Sequence, residues 1–250
     1  MSPGASERRL IFALDVASRT EAETLVAELR PSVGFFKVGL ELFVSEGPDL
    51  VRWLVREGLD VFLDLKLYDI PATMRRSVAA ASRLGARFIT IHDAGAGAAA
   101  AREGTGDSRL QVLCVTLLTS VDARDLRDSA GPGSAGRFRD LDEYVGWRAR
   151  TAVSNGCDGL ICSGQNARRL RRELGPDPIL VCPGIRLGGD RLDDQKRVVT
   201  PYRAVRDGAD YLVVGRPIRD AADPTAQARK ILSEIDRGLR DRESAPGPGG

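Results

Sequence analysis

Residues that build metal sites and disulfide-stabilised folds are scarce in this sequence. Its 250 residues include one histidine, His92, and four cysteines, Cys114, Cys157, Cys162 and Cys182. It contains no C-x-x-C pair and no spacing typical of zinc ligands. We therefore expect reduced cysteines in a cytoplasmic protein, with neither a structural disulfide nor a bound metal.

Long apolar runs and a large net charge are absent as well. No apolar stretch approaches the roughly 18 residues of a membrane-spanning helix, and the opening MSPGASERR lacks the apolar core of a secretion signal. The formal net charge is +2, with acidic and basic residues interleaved. We expect neither a membrane nor a nucleic acid as a partner.

Lysine is also rare, although the chain is rich in arginine. The 37 Lys and Arg residues comprise 4 Lys, at positions 37, 66, 196 and 230, and therefore 33 Arg (37 − 4). Lysine, unlike arginine, can release a proton when its surroundings shift its pKa. A lysine kept at a strand end is therefore a candidate proton donor.

Eight short apolar runs alternate with segments that have the apolar spacing of helices, which indicates a parallel sheet covered on both faces. Eight such units in 250 residues predict a single (β/α)8 barrel. A doubly wound open sheet is the alternative, although the G-x-G-x-x-G turn typical of its first strand is absent. The predicted strands are Leu10–Val16, Phe35–Leu40, Val61–Leu65, Phe88–Ile91, Leu110–Leu118, Gly159–Cys162, Ile179–Cys182 and Tyr211–Val214.

The barrel domain is expected to span residues 9–240, between a flexible N-terminus at 1–8 and a disordered tail at 241–250. The Gly- and Ser-rich stretch Asp128–Arg139 predicts an extended loop after the fifth strand. The long polar stretch Gly184–Val199 is a candidate lid, since loops of this length in a compact domain are often functional.

Charged residues occur where the first three predicted strands end, which is the face of such barrels that carries the active site. Alternation along the strands directs Asp15, Lys37, Asp64 and Lys66 to the barrel interior, and Asp69 follows in the next turn. A buried ion-pair network that only holds the barrel together is the alternative. Burying such charges costs several kcal/mol per ion by typical estimates, so the pattern favours a functional site.

The eighth strand ends in the sequence Val214-Gly215-Arg216-Pro217. A helix N-terminus beside an arginine predicts an anion site, and phosphate sites in these barrels follow strands seven and eight. An ordinary strand–helix turn with a surface arginine is the alternative. His92, at the end of the fourth strand, is interpreted as a hydrogen-bonded structural residue that could also line the pocket.

The sequence resembles the orotidine 5'-phosphate decarboxylase family from Ile11 to about Ile235. The central match is D-x-K-x-x-D-I-P-x-T, here Asp64 to Thr73, and V-G-R-P-I at strand eight adds specificity. FALDV, FFKVG, VTLLTS and VCPGIR match at strands one, two, five and seven. One departure is Tyr68, where many members carry histidine; we expect it to affect the packing of the turn rather than the activity.

The resemblance implies a metal-free and cofactor-free enzyme that converts orotidine 5'-phosphate to uridine 5'-phosphate. It implies that Lys66 protonates C6 of the pyrimidine within a charged array. It also implies an obligate homodimer in which Asp69 and Thr73 of each subunit serve the partner's site. The implied array is Lys37, Asp64, Lys66 and Asp69; the implied substrate contacts are Asp15, Lys37, Thr73, Thr119, Arg186, Gln195, Gly215 and Arg216.

Two other functions remain open from the sequence. A magnesium-dependent hexulose-phosphate synthase or keto-gulonate-phosphate decarboxylase shares D-x-K-x-x-D, but it should lack D-I-P-x-T and the strand-eight arginine. A non-catalytic nucleotide-binding barrel is the second alternative, and the intact charge array argues against it.

Overall fold

Eight parallel strands close into a barrel in which each strand pairs with the next and the last pairs with the first. The structure, a computed structural model, describes residues 6, 8–118, 138, 140–188 and 199–244. The strands are β1 (Leu10–Leu14), β2 (Phe35–Gly39), β3 (Asp60–Leu67), β4 (Phe88–Ile91), β5 (Gln111–Val115), β6 (Gly159–Ile161), β7 (Ile179–Cys182) and β8 (Tyr211–Val214). The predicted (β/α)8 barrel is confirmed, and the open sheet is excluded.

Helices cover the outside of the barrel. Most of them begin at a polar cap or a proline: the Ser18 side chain accepts from the Glu21 amide, and Pro71 opens the helix that follows β3. The helices are α1 (Arg19–Leu29), α2 (Leu40–Arg56, bent at Gly47–Pro48), α3 (Pro71–Ser82), α4 (Ala96–Thr105), α5 (Leu141–Ser154), α6 (Ala167–Leu174), α7 (Pro201–Arg206), α8 (Arg216–Arg219) and α9 (Pro224–Ser244).

Alternation along the strands divides the apolar core into two layers. Val61 and Leu63 of β3 face the helices, whereas Phe62 lies in the barrel interior with Phe35 and Phe88. The three phenylalanine rings pack at centroid distances of 5.2 and 6.0 Å. The predicted faces are therefore correct, and aromatic rings fill the barrel below the level at which the inward-facing residues become charged.

Several predicted boundaries differ from the structure. β1 ends at Leu14 and β5 at Val115, before the predicted Val16 and Leu118, because the chain curves there into the barrel mouth. The disordered tail predicted from Asp241 is wrong at its start, since α9 continues to Ser244. Tyr202 donates to Asp241 at 2.7 Å and Arg242 donates to a carbonyl of Ala209, which holds this last turn.

The remaining predictions about flexible segments fall outside the described residues almost entirely. This applies to residues 1–5 and 7, to the loop Asp128–Arg139 apart from Phe138, to residues 189–198 of the candidate lid, and to residues 245–250. All four cysteines are described, buried and free of disulfides. Within the described part of the chain, no helix is both long and apolar enough to cross a bilayer.

Candidate active site

A cavity of about 360 Å³ opens at the carboxyl ends of the strands. Seven of the predicted site residues line it: Asp15, Lys37, Asp64, Lys66, Arg186, Gly215 and Arg216. Asp69 and Thr73 do not line this cavity. Thr119 and Gln195 lie outside the described residues. The strand-end charges that the sequence predicted to converge therefore do so.

Four charged side chains from three neighbouring strands form a continuous array at one side of the cavity. Lys37 Nζ lies 2.8 Å from Asp15 Oδ1 and 3.8 Å from Asp64 Oδ2. Lys66 Nζ lies 2.8 Å from the same Asp64 oxygen. The Asp64 carboxylate thus separates two ammonium groups. The Lys66 side chain is the more accessible of the two lysines, 36% exposed against 10% for Lys37.

The surroundings of Asp64 keep it ionised. Burial, the largest single influence, would raise the pKa of this carboxyl, but the charges of Lys37 and Lys66 together with hydrogen bonds outweigh burial and lower the pKa below its ordinary value. Hydrogen bonds from Lys66 and from the Thr90 hydroxyl act in the same direction. The array therefore holds a permanent negative charge between its two ammonium groups.

The backbone is irregular at the same place. Leu63 of β3 pairs with Ile89 of β4, and the next pair is Leu67 with Ile91, so three residues of β3 lie opposite one residue of β4. Lys66, inside this bulge, has φ +50°, the only positive φ outside glycine in the described part of the chain. A non-glycine residue in this region costs about 1–3 kcal/mol and tends to occur at functional sites.

Arginines gather at the opposite side of the cavity, where β7 and β8 end. Arg186 is buried after β7, and Arg216 opens the short helix α8. Arg219, one turn later, also lines the cavity, and its Nη1 donates to the Asp15 carbonyl at 2.6 Å. A Cβ atom at Gly215 would lie 3.3 Å from Ala13 Cβ and 3.4 Å from Asp15 Oδ2, so glycine avoids a tight contact with β1 at this point of the lining. This end of the cavity suits a phosphate-sized anion.

An apolar wall connects the two charged ends. It includes Val115, Leu117, Ile161 and Val213, contributed by β5, β6, β8 and the turn after β5. A ligand that fits this cavity would carry an anionic group at the arginines and a reacting centre beside Lys66 Nζ, with an uncharged body between them. The cavity volume of about 360 Å³ suits a small phosphorylated molecule rather than a polymer.

Asp69 lies in the turn after β3 and is exposed. Its Oδ1 accepts from the Ile70 amide at 2.7 Å, and Thr73 accepts from Arg76 in the first turn of α3. The flanking side chains Tyr68 and Ile70 are 76% and 66% exposed, which is unusual for large apolar residues. Tyr68, the departure from the family motif, therefore projects away from the cavity.

His92 does not line the cavity, in agreement with its structural interpretation. Its amide donates to the Leu67 carbonyl at 2.9 Å, and its carbonyl accepts from Arg148 of α5. Burial and the positive charges of Arg148 and Lys66 lower the pKa of the imidazole, which favours a neutral side chain. His92 and Arg148 thus tie together the strand ends behind Lys66.

Sequence reasoning missed two polar residues of the site. Arg219 follows Arg216 by three residues on the same turn of helix, a spacing that could have indicated a shared face. Thr90 is the one polar residue of the strand sequence FITI and shares the inward face with Phe88. Among the described residues, no three His, Cys, Asp or Glu side chains are grouped so that they could hold a metal ion.

Comparison with known proteins identifies what this fold and site resemble. The sequence profile described as "Orotidine 5'-phosphate decarboxylase / HUMPS family" matches residues 8–231. A crystal structure of orotidine 5'-phosphate decarboxylase from Lactobacillus acidophilus superposes with a TM-score of 0.79 at 33% identity, over 92% of this chain and 99% of that one.

Curated relatives are similar over nearly their whole length. The orotidine 5'-phosphate decarboxylase of Rhodopseudomonas palustris (strain BisB5) is 47% identical over 231 residues, which cover 92% of this chain and 96% of the relative. That of Methylococcus capsulatus is 48% identical, with 91% of each chain covered.

The lowered pKa of Asp64 predicts how stability depends on pH. A carboxyl whose folded-state pKa is depressed contributes stability above its unfolded-state pKa of about 3.9 and loses it as the pH falls through the folded-state value. We expect the difference in unfolding free energy between the wild type and Asp64→Asn to be constant near neutral pH. Below about pH 5 the wild type should lose stability relative to Asp64→Asn. Urea unfolding at a series of pH values measures it.

Asp49→Asn is the matched control, because the Asp49 side chain is 79% exposed and forms its ion pair with Arg52 at the surface. The difference in unfolding free energy between Asp49→Asn and the wild type should stay small at every pH. A difference for Asp64→Asn that is equally flat with pH would contradict the lowered pKa.

Proposed function

The chain belongs to the orotidine 5'-phosphate decarboxylase / HUMPS family, and from that premise we propose that it converts orotidine 5'-phosphate to uridine 5'-phosphate and carbon dioxide in de novo pyrimidine biosynthesis. It would thus be a carboxy-lyase. One observation carries the proposal: the Lys66 ammonium, held at 2.8 Å by Asp64, faces a cavity whose other end is lined by Arg186, Arg216 and Arg219.

The choice within the family rests on the relatives and on two sequence features. The curated relatives described above, at 47% and 48% identity, both carry the name orotidine 5'-phosphate decarboxylase. D-I-P-x-T follows the charged array, and Arg216 follows β8. The metal-dependent sugar-phosphate enzymes that share D-x-K-x-x-D remain the second candidate. They rank below the decarboxylase because they are expected to lack both features.

Lys66 is the proposed proton donor. As the bond between C6 and the carboxylate breaks, carbon dioxide leaves and the electron pair remains on C6. A proton of the Lys66 ammonium then transfers to C6, and the lysine regains a proton from solvent. A preorganised positive charge beside a developing carbanion is the kind of electrostatic stabilisation that contributes most to enzymatic rates. At 4 Å and an effective dielectric near 20, one such charge pair is worth about 4 kcal/mol.

The phosphate group is proposed to supply the rest of the stabilisation. Arg216, Gly215 and Arg186 would bind it, together with Gln195, which lies outside the described residues. Closure of the segment 184–199 over the phosphate would exclude water and align the pyrimidine with Lys66. Asp15 and Lys37 would contact the ribose, and Thr119, also outside the described residues, would contact the pyrimidine.

A homodimer with shared sites completes the proposal. Asp69 and Thr73 do not line their own cavity, and they lie in sequence beside Tyr68 and Ile70, whose side chains are exposed. A second cavity of about 270 Å³ lies on the other side of the array; it is lined by Lys37, Asp64 and Lys66 and reaches Leu40, which is 59% exposed. The partner's Asp69 would enter there and extend the array.

The proposal also includes the location and extent of the catalytic unit. A single domain, residues 9 to about 240 with the end of α9, would contain all the catalytic and substrate-binding residues that each subunit supplies. Four buried thiols free of disulfides are compatible with a reducing cytoplasm.

The first test is turnover itself. Purified protein should consume orotidine 5'-phosphate, followed by the loss of its ultraviolet absorbance, and the rate should be unchanged after exhaustive treatment with EDTA. Lys66 supplies the proton and the charge, so no divalent ion enters the proposed reaction. Loss of activity with EDTA, restored by magnesium, would instead support the metal-dependent candidate.

The second test separates phosphate binding from chemistry. Arg216→Ala should lower kcat/KM for orotidine 5'-phosphate roughly 100-fold, which corresponds to about 3 kcal/mol, because the guanidinium binds a dianion remote from C6. Turnover of orotidine, which lacks the phosphate, should hardly change. Arg172→Ala, an exposed change of equal charge on α6, is the control and should affect neither substrate. An equal loss on both substrates would contradict the assignment of Arg216.

The third test addresses the shared site. Lys66→Ala and Asp69→Ala should each be nearly inactive as homodimers. If the two proteins are unfolded together and refolded as a mixture, a mixed dimer collects both changes in one site and neither in the other. Random pairing makes about half of the dimers mixed, so about a quarter of all sites should regain full activity. No recovery would mean that Asp69 acts within its own chain.

A further inference from the structure

Thr90 lies at the centre of the irregular contact between β3 and β4. Its side chain is completely buried and is directed into the barrel on the same face as Phe88. It is the single residue of β4 opposite Asp64, Leu65 and Lys66, because the register advances from Leu63–Ile89 directly to Leu67–Ile91. Thr90 therefore faces both of the residues that form the centre of the array.

The Thr90 hydroxyl makes one hydrogen bond to each of those residues. It donates to Asp64 Oδ1 at 2.9 Å and accepts from the Lys66 amide at 2.9 Å. A hydroxyl has one proton and two lone pairs, and a carboxylate only accepts, so this pattern fixes the direction of both bonds. Where the bulge interrupts the backbone hydrogen bonds between β3 and β4, the Lys66 amide thus donates to the Thr90 hydroxyl instead of to a backbone carbonyl.

Both bonds act on the geometry of the proposed proton donor. Because Thr90 binds Oδ1, the other oxygen, Oδ2, is directed to Lys66 Nζ at 2.8 Å and Lys37 Nζ at 3.8 Å. The bond to the Lys66 amide is made where that residue has φ +50°, a conformation that lysine does not favour. The His92 amide resumes the ladder at the Leu67 carbonyl, immediately after the bulge.

We propose that Thr90 is a positioning residue, which fixes the Asp64 carboxylate and the strained backbone of Lys66 through one hydroxyl and so aims the Lys66 ammonium into the cavity. This inference rests on the proposed decarboxylase function. Thr90 does not line the cavity, so it acts through Asp64 and Lys66 rather than on the substrate.

The test compares Thr90→Val, which removes the hydroxyl at nearly constant volume, with Thr90→Ser, which keeps it. Thr90→Val should lower kcat for orotidine 5'-phosphate by roughly 10- to 100-fold with KM changed by less than about threefold, because misplacing a reacting group costs rate rather than binding. Thr90→Ser should retain kcat within about threefold. Should Thr90→Val fold poorly, Thr90→Cys, a weaker hydrogen-bonding group of similar size, should give an intermediate loss.

The pH profile is a readout that a merely structural role would not change. The hydrogen bond from Thr90 helps to lower the pKa of Asp64, so its removal should move the acidic limb of kcat/KM to higher pH. The charged groups around Asp64 stay the same in the variant: Lys37 on β2 with its partner Asp15 after β1, Lys66 on β3, and His92 after β4. The shift would therefore report the lost hydrogen bond.

Thr105→Val is the matched control. Thr105 is also buried, but its hydroxyl donates to the Arg102 carbonyl within α4, whose C-terminal end lies at the opposite end of the barrel. This variant should leave kcat and the acidic limb unchanged. Exchange of the Lys66 amide proton with solvent, measured by NMR, should be faster in Thr90→Val and unchanged in Thr105→Val.

The outcomes separate this inference from the proposed function. If the wild type turns over orotidine 5'-phosphate and Thr90→Val matches Thr105→Val in kcat, acidic limb and amide exchange, Thr90 is not a positioning residue. If the wild type does not turn over this substrate, the proposed function fails, and the positioning role in that reaction fails with it. Faster exchange of the Lys66 amide in Thr90→Val would then still establish the hydrogen bond.

Discussion

The site depends on one carboxylate that lies between two ammonium groups. Asp64 is 2.8 Å from Lys66 Nζ and 3.8 Å from Lys37 Nζ, and without it two like charges would face each other at the barrel mouth. Groups of this kind are poor stabilisers of a fold, because removing them from water costs about as much as their attraction returns. Under the proposed function, the arrangement is explained by the Lys66 side chain, which the array holds in place and leaves 36% exposed.

The barrel interior is divided along its axis in a way that supports this array. Phe35, Phe62 and Phe88 fill the lower part, and Lys37, Asp64 and Thr90 follow them two residues later on the same three strands. The close-packed rings fix the strand positions, and the strands then present the charged groups at a defined height. Rigid strands hold reacting groups more accurately than loops do, which matters because a small displacement costs a large factor in rate.

Simple periodicities predicted the barrel and most of the site. The apolar runs indicated the strands, and alternation of side chains placed Asp15, Lys37, Asp64 and Lys66 on one face correctly. Periodicity could not predict the bulge, because it depends on a hydrogen bond between Lys66 and Thr90, 24 residues apart. It also could not predict that α9 continues to Ser244, since contacts of Tyr202 with Asp241 and Arg237 hold that end across more than 30 residues. Arg219 was missed because its role depends on where the short helix α8 meets the Asp15 carbonyl.

The position of Asp69 connects catalysis to assembly. Among the described residues, Lys66 forms its ion pair with Asp64, and a second cavity also reaches Lys66. The motif nevertheless supplies another carboxylate three residues later, and the turn directs it outward beside exposed apolar side chains. Neighbouring exposed apolar side chains can mark a protein–protein contact. A second subunit would cover Tyr68 and Ile70 and bring its own Asp69 to the open side of Lys66. On this proposal, the contact that buries the apolar turn is the same contact that completes the array, so an isolated subunit would contain the proton donor without its full electrostatic environment.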